Sequence, residues 1–342
     1  MKKKVWNICF LILIFVLTCV TVFKDASWSE ILYWMTHVRE RYIVAAILAV
    51  PVFVCCESWI IHYMMGKLGK RVRPADCVRY SFIGFFFSCV TPSASGGQPA
   101  QVLYMQKDRI PPSLASVVLL IVTIAYKLVL VVIGIVCFLF ARGWLVYYLG
   151  KYMVLYYLGM TLNVICITAM LFLVFEERVA ACIMMWAEGV LVKIHILKKD
   201  EARGQRMTEF MRPYHDAAHV MKEQVGMLVP VMLVTLFQRL LMFFITYLVY
   251  CAFRMHGTGM VSIVALQAVV SISVDMLPFP GGMGVSENLF LVLFDKVFGN
   301  EIILPAMLLC RGCSFYILLL MSGLVTCYAM WHYNRIKEAM VR

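Results

Sequence analysis

The 342-residue sequence has little charge for its length and few acidic residues. Charged side chains make up 15% of it and hydrophobic ones 63%, and its mean hydropathy is +0.86. A soluble domain of this size does not need so much apolar surface, so these proportions exclude an ordinary soluble protein. They predict an all-α polytopic membrane protein.

The motifs of common catalytic and nucleotide sites are also missing. The sequence has no Walker-type phosphate loop, no HExxH zinc motif and no GxSxG serine elbow. Most of the thirteen cysteines lie inside apolar runs, where they act as small hydrophobic residues. We therefore assign no catalytic residue, and we expect neither a metal nor another cofactor.

The net charge of +12 comes from 31 Lys and Arg against 19 Asp and Glu. A basic chain can indicate nucleic-acid binding, but most of these basic residues lie in short segments between apolar runs. That distribution follows the positive-inside rule and attraction to anionic lipid. We therefore expect no direct nucleic-acid binding, a bacterial plasma-membrane location and both termini in the cytoplasm.

Six apolar runs are long enough to cross a bilayer. They cover about residues 5–23, 42–65, 113–140, 153–175, 226–252 and 302–330. The first run resembles a signal peptide, but it is long and lacks a small-residue cleavage site, so a retained span is expected. Residues 176–225 are hydrophilic and are predicted to be cytoplasmic. We treat residues 1–342 as a single membrane domain.

Two further apolar stretches are interrupted by proline and glycine. One break is Pro278-Phe-Pro-Gly-Gly-Met-Gly-Val-Ser-Glu287, and the other is Thr91-Pro-Ser-Ala-Ser-Gly-Gly-Gln-Pro-Ala-Gln101. Broken backbone at membrane depth is tolerated only inside protein or beside a water-filled cavity. The sequence therefore predicts two re-entrant broken-helix hairpins, at about 80–105 and 260–298, entering from opposite sides. Paired breaks of this kind indicate a binding site, although no convincing residue-level repeat is visible.

Charged residues in or beside the apolar runs are the main candidates for function. They are Glu57, Lys127, Arg239, Asp275, Glu287 and Arg311. Such charges are costly in lipid, so they should face the protein interior or an aqueous cavity. Structural ion pairing is one interpretation, for instance Glu57 with Lys127 or Asp275 with Arg311. The other is a polar cavity in which arginine holds a lipid phosphate.

The glycines of the two breaks allow two interpretations as well. They can let backbone N–H groups approach an anion, or they can only permit tight turns and close helix packing. Gln98 and Gln101 add neutral hydrogen-bonding groups. The candidate lipid-binding residues are therefore Gly96, Gly97, Gln98, Gln101, Lys127, Arg239, Asp275, Gly281, Gly282, Glu287 and Arg311.

The two breaks, followed by Arg311, Tyr316 and Gly323, resemble the lysylphosphatidylglycerol synthase transmembrane-region family, also called flippase-like. This is the membrane half of the bacterial multiple peptide resistance factor, and the resemblance covers roughly residues 5–335. It implies a domain that moves aminoacylated phosphatidylglycerol, or another anionic or polar phospholipid, to the outer leaflet. This activity masks anionic surface charge and lowers sensitivity to cationic peptides. Many members carry an acidic residue and an arginine where this chain has Gln98 and Gln101, which leaves the headgroup open.

The resemblance also raises an enzymatic alternative. Full-length relatives carry a soluble synthase domain that takes lysine from lysyl-tRNA, whereas residues 176–225 are too few for such a domain. The leading hypothesis is a lipid translocator, with a separate synthase as a candidate partner and oligomer formation left open. The alternatives are phosphatidylglycerol lysyltransferase activity, alone or with that partner, and a non-transporting membrane scaffold.

Overall fold

The computed structural model describes residues 33–175 and 225–341. The predicted first span, 5–23, and nearly all of the hydrophilic segment 176–225 lie outside these described residues. Within the two described ranges the regular structure is helical and includes no strand. This confirms the predicted all-α class.

The first described range begins with a long helix, continues with an interrupted pair of shorter helices, and ends with two long helices. The interruption falls where proline and glycine stop the helix, as their missing donor and flexible backbone require. The elements are α1 (Glu40–Lys67), α2 (Pro74–Val90), a 3₁₀ turn (Pro92–Ala94), α3 (Gly97–Lys107), α4 (Pro112–Leu149) and α5 (Met153–Phe175).

The second described range has the same kind of interrupted pair between long helices. Its last long helix is continuous through a single π turn. The elements are α6 (Leu228–Ala252), α7 (Met260–Val274), a 3₁₀ turn (Pro280–Gly282), α8 (Val285–Phe298), α9 (Ile303–Arg311), a π turn (Gly312–Tyr316) and α10 (Ile317–Val341).

Four helical stretches of the described chain are long and apolar enough to cross a membrane: Glu40–Lys67, Pro112–Leu173, Val225–Ala252 and Ile303–Tyr333. The 62-residue stretch folds back at the turn Gly150–Tyr152, so it supplies both α4 and α5. The predicted spans two to six therefore correspond to helices.

The third predicted span, 113–140, ends before the helix that it corresponds to, because α4 extends to Leu149. Helix α4 bends at Ala141, where φ is −136°, and then continues to Leu149. Leu145 and Leu149 are buried in the extension, so apolar packing carries the helix past the charge of Arg142.

The two broken hairpins enter the helix bundle from opposite ends. The backbone N–H of Arg39 donates to the carbonyl of Ala252 at 2.9 Å, which places the start of α1 beside the end of α6. Helix α1 therefore runs toward the end that carries the basic segment 67–79, which we call the basic end. The first hairpin, α2–α3, starts there. The second, α7–α8, starts and finishes at the far end, where Phe298 packs against Tyr250.

The order helix, broken hairpin, helix thus occurs twice in the described chain. Both breaks are 3₁₀ turns that begin with proline, and both have a central residue with positive φ, 50° at Ser93 and 57° at Gly281. The repeat is clear in the backbone, whereas the side chains of the two breaks differ. This difference explains why the sequence shows no convincing repeat.

Two of the three clusters of buried apolar residues in the described chain lie toward the ends of the bundle, and the third packs α1 against α2, α6 and the π turn. One cluster, toward the basic end, includes Ile60, Met64 and Met105, and another, toward the far end, includes Tyr250 and Phe294. The polar residues singled out from the sequence lie between these clusters. The fold therefore holds these charged groups in the middle of the bundle and inside the protein, because exposing a charge to lipid is costly.

Candidate functional site at the contact between the two broken hairpins

The tips of the two hairpins touch each other. The Ser93 hydroxyl in the first tip donates to the carbonyl of Leu277, just before the second tip, at 3.2 Å. The two 3₁₀ turns also pack directly against each other. Segments that are 184 residues apart in sequence therefore meet in the middle of the bundle.

Two polar chambers lie on either side of this contact. The first chamber has a volume of about 360 Å³ and is lined by Glu57, Gln98, Gln101 and Lys127 among others. The second has about 290 Å³ and is lined by Gln267, Gly281, Gly282 and Arg311 among others. The residues that line both chambers are Phe85, Ser88, Ser93, Ala94, Tyr126, Arg239 and Asp275. These shared residues form the partition between the chambers.

Lys127 pairs with Asp275 in the partition. Its Nζ lies 2.8 Å from Asp275 Oδ2 and 3.2 Å from Asn163 Oδ1, and the Tyr126 hydroxyl also donates to Asp275. The predicted pairing of Glu57 with Lys127 is therefore wrong. Asp275 follows the last turn of α7, which packs between α4 and α5, so it reaches Lys127 directly.

Arg311 pairs with Glu287 at the second tip. Arg311 Nε donates to Glu287 Oε1 at 2.6 Å, and its Nη2 donates to the carbonyl of Gly281 at 2.9 Å. Glu287 Oε2 accepts the backbone N–H of Gly284 at 2.7 Å, as a carboxylate in the first turn of a helix commonly does. The predicted pairing of Asp275 with Arg311 is wrong, because Glu287 opens α8 directly opposite the end of α9.

Glu57 is buried without an ion pair among the described residues. It is 8% exposed, and its Oε1 accepts a hydrogen bond of 3.0 Å from Gln101 Nε2. Gly84 makes room for this amide, because a Cβ at that position would collide with the end of Gln101. Helix α2 is therefore shaped around the contact between Gln101 and Glu57.

Arg239 is the free cation of the described partition residues. No carboxylate in the two described ranges lies within the salt-bridge limit of 4.0 Å, and its Nε is buried without a hydrogen-bond partner there. The guanidinium carbon lies 3.8 Å from the ring centre of Tyr126 and 5.1 Å from that of Phe53. The aromatic rings stabilise the cation without using its hydrogen-bond donors.

Two of the four tip glycines, Gly96 and Gly97, line neither chamber, and the contacts of the tip glycines serve turns and close packing. The N–H of Gly96 donates to Thr91 Oγ1 at 2.9 Å, and that of Gly282 donates to the carbonyl of Phe279 at 3.0 Å. A Cβ on Gly97 would collide with Ser88, so this glycine permits close packing of α3 on α2. These contacts favour the turn-and-packing interpretation of the glycines over the anion-binding one.

The remaining predicted site residues divide between the chambers. Gln98 donates to the Thr123 hydroxyl and lines the first chamber, while Gly281 and Gly282 line the second. Gly96, Gly97 and Glu287 line neither chamber. The structure thus brings most of the predicted residues to one partitioned crevice and leaves three in supporting positions.

Sequence reasoning missed two polar contributors to the crevice. Asn163 is fully buried and supports Lys127, and Tyr126 lies under Arg239 and donates to Asp275. The signal for Asn163 was present, because an amide inside the apolar run 153–175 requires a partner. Tyr126 carries no such signal, because a tyrosine is common in membrane spans.

Sequence reasoning also missed a cluster at the basic end. Asp108 accepts hydrogen bonds from Arg79 Nη2 at 2.6 Å and from the Tyr333 hydroxyl at 2.6 Å, and also from the Tyr80 hydroxyl. These contacts join the base of the first hairpin to α10.

The crevice as a whole suits a polar group that carries both signs of charge. Two of its charges, on Lys127 and Asp275, neutralise each other, whereas Glu57 and Arg239 have no ion-pair partner among the described residues. Within residues 33–175 and 225–341 no cluster of His, Cys, Asp and Glu is arranged to hold a metal ion.

Comparison with known proteins gives one match. None of the curated proteins searched matches the chain at the required significance. The family model described as the lysylphosphatidylglycerol synthase TM region matches residues 6–322, which is most of the chain. The chain, an all-α membrane protein with two opposed broken hairpins, therefore belongs to the lysylphosphatidylglycerol synthase transmembrane-region family.

Proposed function

We propose that this protein binds the headgroup of a polar phospholipid in the partitioned crevice and moves it between the two leaflets. The proposed substrate is aminoacylated phosphatidylglycerol, whose headgroup joins a phosphate to cationic amines. The family relationship supports a role in handling lysylphosphatidylglycerol. We further propose that the basic end faces the cytoplasm of a bacterial cell, in agreement with the positive-inside rule.

One observation carries the proposal: Arg239 lines both chambers at the contact between the tips and has no ion-pair partner among the described residues. Arginine binds phosphate through a planar fork of N–H donors. An ion pair would occupy that fork, as it does in Arg311. We therefore assign phosphate binding to Arg239.

The other charged residues take supporting roles in this proposal. Lys127 lines the first chamber and neutralises Asp275 of the partition, and Arg311 with Glu287 holds the second tip in shape. Gln98, Gln101 and the tip glycines position these groups. Glu57 presents the negative charge that would meet a cationic amine, in the same chamber as Arg239.

Passage of a headgroup requires the two tips to separate. The two chambers are distinct cavities, and the contact of Ser93 with Leu277 lies between them. The hydrogen bond of the exposed Ser93 hydroxyl contributes only about 0.5–1.5 kcal/mol, so it adds little to the cost of separating the two packed turns. The acyl chains would remain in the lipid beside the helices while the headgroup crosses.

A leaflet-exposure assay tests the proposal. Purified protein is reconstituted into vesicles that hold lysylphosphatidylglycerol in the inner leaflet only, and an impermeant amine reagent reports its arrival outside. We expect protein-dependent exposure that falls about tenfold or more in Arg239→Gln, because a hydrogen bond to a charged group contributes about 1.5–3 kcal/mol.

Arg142→Gln is the matched control, because it removes an exposed arginine that lines neither chamber. We expect exposure at the wild-type rate in this variant. No exposure with the wild-type protein would contradict translocation. Formation of lysyl-lipid from lysyl-tRNA by the purified protein would instead establish the lysyltransferase alternative.

A further inference from the structure

Glu57 is the most unusual charged group of the crevice, because it lies in the middle of a membrane-spanning helix without an ion pair among the described residues. It belongs to α1, is 8% exposed and lines the first chamber. Its hydrogen-bond donor among the described residues, Gln101, is neutral and itself only 4% exposed. An ionised carboxylate in such a place is costly unless a cation or a proton neutralises it.

The two cations that line the first chamber with Glu57 do not form an ion pair with it. Lys127 is used by Asp275 at 2.8 Å, and Arg239 attracts Glu57 only from beyond the salt-bridge limit of 4.0 Å. His62, one turn further along α1, is bonded to the carbonyl of Val72 at 2.9 Å. Glu57 is therefore left to a mobile partner that enters the chamber.

Several other titratable or charged groups line the chambers or pack against α1. They are Arg239 on α6, Tyr126 and Lys127 on α4, Cys166 on α5, Cys89 on α2, Cys313 in the π turn, Arg311 on α9, Asp275 after α7 and, toward the basic end, Cys77 and Tyr80 on α2, Tyr104 on α3 and Tyr333 on α10. The carboxylate among them, Asp275, already has Lys127 as a partner. Glu57 is thus the acid of this set that lacks a fixed cation.

We propose that Glu57 is a proton-binding site whose proton is exchanged for the ammonium group of the translocated lipid. This inference rests on the proposed translocation function and adds its energy source. One carboxylate cannot hold a proton and an ammonium ion at once, so arrival of the amine expels the proton. The O–H bond of Glu57 breaks, the proton passes to water, and the ammonium group keeps all of its own protons.

The exchange couples lipid movement to a proton gradient. With the first chamber open to the basic end, the ammonium group binds and the proton leaves toward that end. After the tips separate and the headgroup departs toward the far end, a proton from the far end takes its place. Each headgroup moved outward therefore brings one proton inward, and no nucleotide is needed.

Proton release on lipid binding tests this inference without requiring translocation. Lysylphosphatidylglycerol is added to the purified protein in detergent, in weak buffer with a pH-sensitive dye. We expect release of about one proton per chain, as linkage between the two ligands requires. Phosphatidylglycerol, which has no amine, should release none.

Glu57→Gln should abolish the release, since its amide cannot ionise, whereas Ser58→Ala, which removes the neighbouring buried hydroxyl, should leave it unchanged. In the wild-type protein, infrared spectra should show a protonated carboxyl band that shrinks when the lysyl lipid is added, a result that needs no variant. Lipid binding without proton release, or with release unchanged in Glu57→Gln, would overturn the inference. A failed leaflet-exposure assay would instead overturn translocation, so the two failures are distinguishable.

Discussion

The two broken hairpins have the same backbone plan but are held in opposite ways. The first is tied by charge at its base, where Asp108 accepts from Arg79 and Tyr333, and its tip is held by hydroxyl groups and amides. The second is tied by charge at its tip through Arg311 and Glu287. Its base is packed by aromatic rings around Phe298.

This difference indicates which tip moves when the chambers connect. The second tip cannot change shape without breaking a largely buried ion pair, which costs several kcal/mol. Among its described contacts, the first tip has only neutral hydrogen bonds to break when it moves. Two of its residues, Ser93 and Ala94, also have unfavourable positive φ values of 50° and 54°. We therefore expect the first tip to move against a fixed second tip.

The largest effect is expected from Glu287→Ala, which removes the fixed point of the second tip. It leaves Arg311 buried without its partner, and we expect a loss of about 3–5 kcal/mol of unfolding free energy. Thermal unfolding in detergent measures this loss. Adding Arg311→Leu should restore part of the stability, and a fully stable single variant would show that the ion pair does not hold the tip.

Gly281→Ala should have the next largest effect. The position has φ +57°, and a Cβ would collide with the ring of Phe315. Strain and overpacking together should cost about 1–3 kcal/mol in the same unfolding measurement. Gly69→Ala is the matched control, because Gly69 ends α1 in the left-handed conformation with φ +75° and a Cβ there meets nothing within 4 Å. Equal losses in the two variants would show that the contact with Phe315 is unimportant.

Asp108→Asn tests the base of the first hairpin. It removes the charge that Arg79, Tyr80 and Tyr333 share, and we expect a loss of about 1–2 kcal/mol because charge-assisted hydrogen bonds become neutral ones. Hydrogen exchange of the Asp108→Asn variant, compared with the unchanged protein, should show a larger increase in the opening rate of α2 and α3 than of α7 and α8. Uniform exchange across both hairpins would contradict a specific role at the first base.

A reciprocal pair of substitutions at the tips gives the smallest effects. Ala94→Gly should stabilise the protein by up to about 1 kcal/mol, because glycine adopts a positive φ without strain. The gain is reduced by the conformational entropy that glycine adds to the unfolded chain. Gly282→Ala, at φ +67° where a Cβ would make only ordinary van der Waals contacts with Val274 and Ser286, should cost about 1 kcal/mol. The difference between these two melting shifts measures the strain stored in the first tip, and shifts of the same sign would argue against it.

The sequence predicted the two hairpins because proline and glycine interrupt apolar runs that are too short to span, a local pattern. It also predicted which charges are embedded. The pairings could not be predicted, because Lys127 and Asp275 are 148 residues apart and meet only through the packing of α4, α5 and α7. The cluster around Asp108 was missed for the same reason, since its partner Tyr333 is 225 residues away.

The contact between the tips offers the most direct test of the account. In a chain whose thirteen native cysteines are replaced, Ser93→Cys and Leu277→Cys put one cysteine on each side of the contact between the tips. Leaflet exposure of lysylphosphatidylglycerol is then measured before oxidation, after disulfide formation and after reduction, with Ser93→Cys alone as the control. The account predicts that exposure stops in the cross-linked protein and returns on reduction. Undiminished exposure through a fully cross-linked partition would contradict it.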